Sequence, residues 1–169
     1  MGLSGASGRA CTLAGVLAIA LVLAACARHA QPKEYGVGSI NSAEPGTAQD
    51  FAANVGDIVR FEVDSSALTA EAQNILSKQA VWLNQYPQYT VTVEGHADER
   101  GTREYNIALG ARRATSVKSY LAAQGVSAPR MRTISYGKER PIAVCDDISC
   151  WSQNRRAQTV LNSGAMARN

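Results

Sequence analysis

The chain has 169 residues, with 17 Lys and Arg against 14 Asp and Glu and a formal net charge of +3. This length suits one domain of ordinary size with appendages and is too short for two well-packed domains. The charge is mild for a nucleic-acid-binding protein, and no basic run forms a stripe along a predicted element, so composition argues against nucleic acid as a partner.

The N-terminal segment differs in composition from the rest of the chain. Arg9 is its only charged residue, and an apolar stretch covers residues 13–23. This stretch is well short of the roughly 20 residues that span a bilayer, which favours an export signal over a transmembrane helix. The segment ends in Leu23-Ala24-Ala25-Cys26, which resembles the bacterial lipobox. We therefore predict a lipoprotein signal peptide over residues 1–25 and acylation of Cys26; the alternative is a plain signal peptide cut near the alanine pair.

Acylation of Cys26 would place the mature chain on a membrane surface, because two or more acyl chains make a stable anchor. Ala27 follows the cysteine where lipoproteins retained at the inner membrane typically carry Asp, so the resemblance to lipoproteins implies sorting to the outer membrane. The segment up to residue 49 is rich in Ala, Gly, Ser, Pro and Gln and has no regular periodicity. Residues 26–49 are therefore predicted to be the lipidated cysteine and a flexible tether.

The remaining residues, 50–169, form the predicted domain, in which strands and helices alternate. The predicted elements are a strand at 58–63, a helix from 69 that stops before Pro87, a strand at 89–93 broken by Gly95, a long amphipathic helix at 104–124, a strand at 132–136, a helical turn at 151–154 and a strand at 157–161. This order, β-α-β-α-β-(α)-β, predicts an α/β fold of the α+β sandwich type. We expect a mixed four-stranded sheet with two long helices packed on one side.

Two cysteines, Cys145 and Cys150, remain once Cys11 has left with the signal peptide and Cys26 carries lipid. An exported chain enters an oxidising compartment, and this spacing can close a small loop, so a disulfide is predicted. A loop this short suggests a contribution of roughly 2 kcal/mol in the chain-entropy description. No second Cys or His pair completes a tetrahedral metal site around them.

Polar residues gather where the second predicted strand meets the long helix. Asp98 lies close to the helix N-terminus, while Asn106 and Arg113 are nearly two turns apart and share a face with Leu109 between them. Arg112 is rotated by about 100° and is expected to meet solvent. This set suits a zwitterion, with a carboxylate for an ammonium group and a guanidinium for a carboxylate. Spacing alone leaves an internal role equally open, in which Asp98 caps the helix and pairs with Arg113.

His96 and Asp98 point the same way at the end of the strand but supply only two ligands for a metal. The other histidine, His29, lies three residues from the predicted lipid anchor, and nothing marks a third ligand. Both mature thiols are predicted to be joined, and no Ser or Cys has the setting of a nucleophile. We therefore predict a core or turn-stabilising role for His96, no metal or cofactor, and no enzymatic activity.

Four groups of residues in register resemble one known family. They are EGHADERGT at 94–102, EYNI with LGARRA at 104–114, SYGKERP at 135–141 and NRRA at 154–157. These motifs are similar to the OmpA C-terminal-like family, in particular to its lipid-anchored, peptidoglycan-binding members. The resemblance covers about residues 55–161, which is nearly the whole predicted domain.

The resemblance implies non-covalent binding of the peptidoglycan stem peptide through meso-diaminopimelate, whose free end is a zwitterion. On the family pattern, Asp98 takes the ammonium group and Arg113 the carboxylate. The other residues carried over as ligand contacts are Asn106, Leu109, Asp64 and Arg155.

The resemblance also implies TolB and TolA as partners, a domain that faces the periplasm and a role in outer-membrane constriction at cell division. The alternative is a wall-binding lipoprotein of the same family without a connection to the Tol proteins. A flagellar motor stator is disfavoured, because it would need a membrane-spanning helix where this chain has a lipobox. A porin would need many alternating strands before the domain.

Overall fold

The computed structural model describes residues 43–162. The predicted signal peptide, Cys26 with its lipid, His29 and the tether up to residue 42 lie outside the described residues. Within residues 43–162, no helix combines the length and the apolar character needed to cross a membrane.

Four helices and four strands follow one another along the described chain. They are α1 (Ala48–Asp50), β1 (Ile58–Arg60), α2 (Ala70–Gln85), β2 (Thr90–His96), α3 (Arg103–Ala123), β3 (Met131–Gly137), α4 (Ile148–Asn154) and β4 (Arg156–Asn162), with a π-helical segment at Phe51–Val55 and a 3₁₀ turn at Ala128–Arg130. The strands form one sheet in the order β1-β4-β2-β3. β2 and β3 are parallel, whereas β4 is antiparallel to both β1 and β2.

The two long helices cover one face of this sheet, which confirms the predicted α/β fold. Alternate residues of β2, Val91 and Val93, are buried against apolar residues of α2 and α3 in a single core. Thr69 caps α2 by accepting a hydrogen bond from the backbone N–H of Ala72. Thr102 caps α3 in the same way, by accepting from Tyr105. Hydroxyl side chains at both starts therefore fix where the core-forming helices begin.

The first strand is shorter than predicted. It ends at Arg60 instead of continuing to residue 63, because the carbonyls beyond it accept hydrogen bonds from side chains. Arg155 donates to the carbonyl of Phe61 and Arg113 to that of Glu62. The alternation in the sequence is real, but the last residues of the run wrap around two arginines instead of extending the sheet.

The prediction that Gly95 breaks the second strand is wrong, because β2 continues to His96 with a register shift at its last step. Gly95 lies where α3 crosses the sheet, and a Cβ atom at this position would lie 1.8 Å from the carbonyl oxygen of Gly110. A glycine inside a strand here marks a close approach of two backbones.

The packed part of the described chain also includes residues from the predicted tether. Tyr89 donates a hydrogen bond from its hydroxyl to the carbonyl of Gly46. The carboxylate of Asp50 accepts from the indole nitrogen of Trp82 and from the backbone N–H of Gly46. The structure therefore places Gly46, which the sequence assigned to the tether, in contact with the domain.

Candidate functional site

A cavity of about 190 Å³ opens between the start of α3, the end of β2 and the chain that follows β1. Its lining consists of Val63, Asp64, Asp98, Arg100, Gly101, Tyr105, Asn106, Leu109 and Arg113. Five of the six residues predicted to contact a ligand lie together here. The sixth, Arg155, lines a neighbouring cavity with Phe61 and Glu62.

Arg113 is the centre of the cavity floor and is fully buried, with 0% of its surface exposed. Its Nε donates to the carbonyl of Ser65 at 2.8 Å, Nη1 to that of His96 at 2.8 Å and Nη2 to that of Glu62 at 3.1 Å. One guanidinium therefore joins the end of β2 to the loop that follows β1. The planar fork of arginine suits this role, because its donors point to several acceptors at once.

The charge of Arg113 has no counter-ion in the part of the chain that the structure describes, where its guanidinium forms no salt bridge within 4.0 Å. Burial lowers the pKa of Arg113 to about 10, and the nearby charge of Asp98 partly opposes this shift. A buried and unpaired cation is costly unless an anion joins it. The internal Asp98–Arg113 ion pair that the sequence left open is thus not formed, and the cavity floor is positive.

Asp98 supplies the negative side of the cavity, and its side chain is 10% exposed. Arg100 contacts it through Nη2 at 2.7 Å and through Nε at 3.2 Å, and Arg155 through Nη1 at 3.4 Å. Burial opposes ionisation, but hydrogen bonds and charge from Arg100, together with Arg155, outweigh it and lower the pKa of Asp98. Asp98 is therefore a carboxylate at neutral pH. It does not cap α3, which is the role of Thr102.

The remaining predicted contacts shape the cavity walls. Asn106 is buried and donates to the carbonyl of Arg100 at 2.8 Å, which fixes the turn before α3. Leu109, 5% exposed, supplies an apolar wall one helical turn further along. Asp64 has a positive φ of 54°, a conformation that Asp tolerates better than most residues, and accepts a hydrogen bond from the hydroxyl of Tyr105. Tyr105 also lines the cavity and was not among the predicted contacts, although it directly precedes Asn106.

The disulfide predicted between Cys145 and Cys150 is present, with Cα atoms 5.7 Å apart. The disulfide closes a loop at the start of α4, the helix that carries Trp151. Trp151 donates from its indole nitrogen to a carboxylate oxygen of Glu99 at 2.9 Å. The guanidinium carbon of Arg100 lies 4.4 Å from the centre of the Trp151 ring, within cation–π distance.

His96 is buried, with 1% of its surface exposed, and the centre of its ring lies 5.6 Å from the centre of the Tyr136 ring. Neither ring nitrogen has a hydrogen-bond partner among the described residues. Burial, followed by the charges of Arg156 and Arg140, lowers the pKa of His96 to about 4. The imidazole is thus neutral near pH 7, so its 3.7 Å contact with Glu94 is no ion pair there. Among the described residues, no group of His, Cys, Asp and Glu could hold a metal.

The buried imidazole makes stability depend on pH. Its folded-state pKa of about 4 lies below the ordinary value of 6.5, so the unfolded chain takes up a proton first as the pH falls. The stabilisation is complete above the unfolded pKa and is lost as the pH falls from there towards the folded pKa. We expect the free energy of unfolding to fall by about 2 kcal/mol more in the wild-type chain than in His96→Asn between about pH 7.5 and pH 5.

Urea unfolding of both proteins at the two pH values measures this difference directly. Titration of the remaining acids affects both chains alike and cancels. Parallel loss of stability in the two proteins would show that His96 is protonated as easily in the folded state as in the unfolded one.

Comparison with protein families gives one match for this domain. The profile described as "OmpA family" matches residues 60–156, more than half of the chain. The chain is also similar to curated relatives over most of its length. The peptidoglycan-associated lipoprotein of Agrobacterium fabrum is 60% identical over 89% of this chain and 87% of its own length. That of Pseudomonas aeruginosa is 48% identical over 73% of each chain.

Solved structures with the same fold include the peptidoglycan-associated lipoprotein of Burkholderia pseudomallei. It has a TM-score of 0.63 and 38% identity, over 66% of this chain and 96% of that one. The C-terminal domain of Helicobacter pylori MotB has a TM-score of 0.60 and 25% identity, over 64% of this chain and 86% of that one.

Proposed function

The chain belongs to the OmpA family, and we propose that it is a lipoprotein whose domain binds peptidoglycan non-covalently. It is not an enzyme, in keeping with relatives that are named as peptidoglycan-associated lipoproteins. The chemical group that it recognises is the free amino-acid end of meso-diaminopimelate in the stem peptide. This group carries one ammonium and one carboxylate on the same carbon, a ligand that needs a negative and a positive contact side by side.

The observation that carries this proposal is the buried guanidinium of Arg113, which has no counter-ion among the described residues, on the floor of a cavity that Asp98 also lines. A ligand carboxylate compensates the buried positive charge, and Asp98 receives the ligand ammonium. Leu109 and Asn106 form the wall between the two poles, with Asp64 and Tyr105 on the outer rim. Arg155 lines the neighbouring cavity and donates a hydrogen bond to Asp98, which helps to fix the position of this carboxylate.

The most direct test is Asp98→Asn, which keeps the shape of the side chain but removes its charge. Loss of the charged contact to the ligand ammonium is expected to cost about 2 kcal/mol or more, a loss of affinity of about 30-fold or more. Co-sedimentation of residues 43–169 with purified peptidoglycan, together with calorimetric titration of free meso-diaminopimelate, measures the change.

The matched control is Asp146→Asn, which removes the same charge from an exposed position outside the cavity. Peptidoglycan whose stem peptide carries lysine in place of diaminopimelate is the matched ligand, because it offers the ammonium without the carboxylate. Equal binding of Asp98→Asn and the wild-type chain, or of the two ligands, would contradict the proposed site.

The proposed location of the protein is the outer membrane, with acyl chains on Cys26 and the domain facing the periplasm. In this arrangement residues 1–25 are a signal peptide and residues 26–49 a tether to the domain at 50–169. Each domain holds the wall weakly, and many anchored copies together link the membrane to it by avidity. Treating cells with a radiolabelled fatty acid tests the anchor, because Cys26→Ser should abolish labelling.

The further proposal is membership of the Tol-Pal system, with TolB and TolA as partners and a role in constriction of the outer membrane during division. A wall-binding lipoprotein without Tol partners is the competing function. Affinity capture with the purified domain separates the two, since recovery of TolB supports the first and its absence the second.

A further inference from the structure

Asp98 already has a cation in place in this structure. Its Oδ1 accepts from the backbone N–H and the Nε of Arg100, and its Oδ2 accepts from Nη2 of Arg100 and Nη1 of Arg155. A carboxylate offers about four acceptor positions, so these hydrogen bonds occupy them. A ligand ammonium can therefore reach Asp98 only by replacing one of the two guanidinium groups.

The two arginines differ in how firmly they are held. The Arg155 side chain is 7% exposed and also donates to the carbonyl of Phe61, so it is fixed within the fold. The Arg100 side chain is 42% exposed and has Asp98 as its hydrogen-bond partner among the described residues. Arg100 is the group that can leave at low cost, because an exposed ion pair contributes little to folding stability.

Arg100 can leave while its backbone stays in place. Lys138 donates to the carbonyls of Glu99 at 3.0 Å and of Gly101 at 2.7 Å, so the chain is held on both sides of Arg100. The carbonyl of Arg100 itself accepts from Asn106. The turn is therefore fixed, and displacement of Arg100 requires only rotation of its side chain.

The ring of Trp151 offers the Arg100 guanidinium a second binding position, which it already contacts. The ring of Trp151 lies 4.4 Å from the guanidinium carbon of Arg100, and Glu99 holds the indole in position. Stacking on an aromatic face retains a favourable interaction for a cation that has lost its carboxylate.

We propose that Arg100 is an internal competitor of the ligand, holding Asp98 in the empty site and moving fully onto Trp151 when a ligand ammonium binds. This inference rests on the proposed function, because it assumes that Asp98 is the ammonium contact. Its consequence is a common cost of binding. Every ammonium ligand must displace the bidentate guanidinium, and a zwitterion gains a second contact at Arg113 that offsets this cost, whereas a simple amine does not. Arg100 thus lowers the affinity for all ammonium ligands, and those without a carboxylate are left binding weakly.

The test is Arg100→Gln, which removes the competing charge. Calorimetric titration of residues 43–169 with free meso-diaminopimelate is expected to show affinity about three- to tenfold higher than for the wild-type chain, the range of a partly exposed ion pair. The affinity for a lysine-containing stem peptide, whose side chain offers an ammonium group without a carboxylate, is expected to rise by the same factor, because both ligands must displace Arg100. The matched control is Arg103→Gln, which removes the same charge from a side chain that is 67% exposed and paired with Glu139 outside the cavity.

A spectroscopic readout distinguishes displacement from a general change of charge. When the wild-type chain is titrated with meso-diaminopimelate, the indole N–H resonance of Trp151 should shift as the guanidinium moves over the ring. This shift should disappear in Arg100→Gln. Equal or weaker binding by Arg100→Gln overturns the inference, and the difference between the wild-type chain and Asp98→Asn then still decides the proposed function. Failure of the wild-type chain and Arg100→Gln alike to bind overturns both, whereas binding by Arg100→Gln alone supports the competition.

Discussion

Replacing Gly95 by alanine is expected to destabilise the domain by about 3 kcal/mol or more. The added Cβ would lie 1.8 Å from the carbonyl oxygen and 2.6 Å from the carbonyl carbon of Gly110. Both are backbone atoms of α3, so no side-chain rotation can relieve the overlap and the helix must move off the sheet. Urea unfolding of the wild-type chain and of Gly95→Ala measures the loss.

Gly110→Ala tests the same contact between α3 and β2 with a smaller overlap. Its added Cβ would lie 2.4 Å from Oγ of Ser135, which can rotate, and 2.8 Å from the carbonyl oxygen of Gly95. Helix propensity alone predicts that alanine at a helix interior is about 1 kcal/mol more favourable than glycine. The sign of the change in the free energy of unfolding therefore shows whether helix propensity or the close packing of α3 on β2 has the larger effect. Stabilisation by both substitutions would contradict the close approach of α3 and β2.

This contact between backbones also sets the dimensions of the site. β2 leads directly to Asp98, while α3 carries Asn106, Leu109 and Arg113, so a helix lifted from Gly95 separates the two poles of the cavity. We expect Gly95→Ala to weaken ligand binding even under conditions where the domain remains folded.

Much of the architecture follows from local pattern. The period of apolar residues in α2 and α3 predicts both long helices to within a few residues. The role of Gly95 could not be predicted in this way. A glycine that ends a strand and one that permits a helix to cross it are identical in sequence, and only the packing partner distinguishes them.

Helical geometry predicts that Asn106, Leu109 and Arg113 share a face and that Asp98 lies close to the start of the helix. The proposed roles of these residues as ligand contacts, like that of Asp64, come from the family resemblance. Asp64 lies in a loop whose conformation depends on hydrogen bonds from Arg113. The contact between Arg100 and Trp151 joins residues far apart in sequence, and no periodicity or spacing relates them. Contacts of this kind depend on tertiary packing, so the sequence predicted the poles of the site but not the group that occupies one of them.

Arg113→Ala is expected to lower the free energy of unfolding by about 3–4 kcal/mol, in addition to its effect on binding. The Arg113 guanidinium donates hydrogen bonds to the backbone carbonyls of Glu62, Ser65 and His96. Its removal takes the side-chain donor from all three carbonyls, of which that of Glu62 keeps its bond from the backbone N–H of Ser65. The loop after β1 should then lose its fixed position, as native-state hydrogen exchange of residues 61–66 can measure.

The neighbouring arginine supplies the matched control for this substitution. Arg112→Ala removes the same charge from an exposed position of α3, where the side chain contacts the ring of Tyr105. We expect a change in stability of about 0.5 kcal/mol or less. Equal loss in both variants would show that the three carbonyl contacts of Arg113 contribute nothing to the fold. A large difference would mean that the guanidinium of Arg113 supports the loop, so weaker binding by Arg113→Ala must be compared at equal folded fractions. Arg113→Lys separates the two roles further, because it keeps the charge for a ligand carboxylate but loses the planar fork that holds the loop.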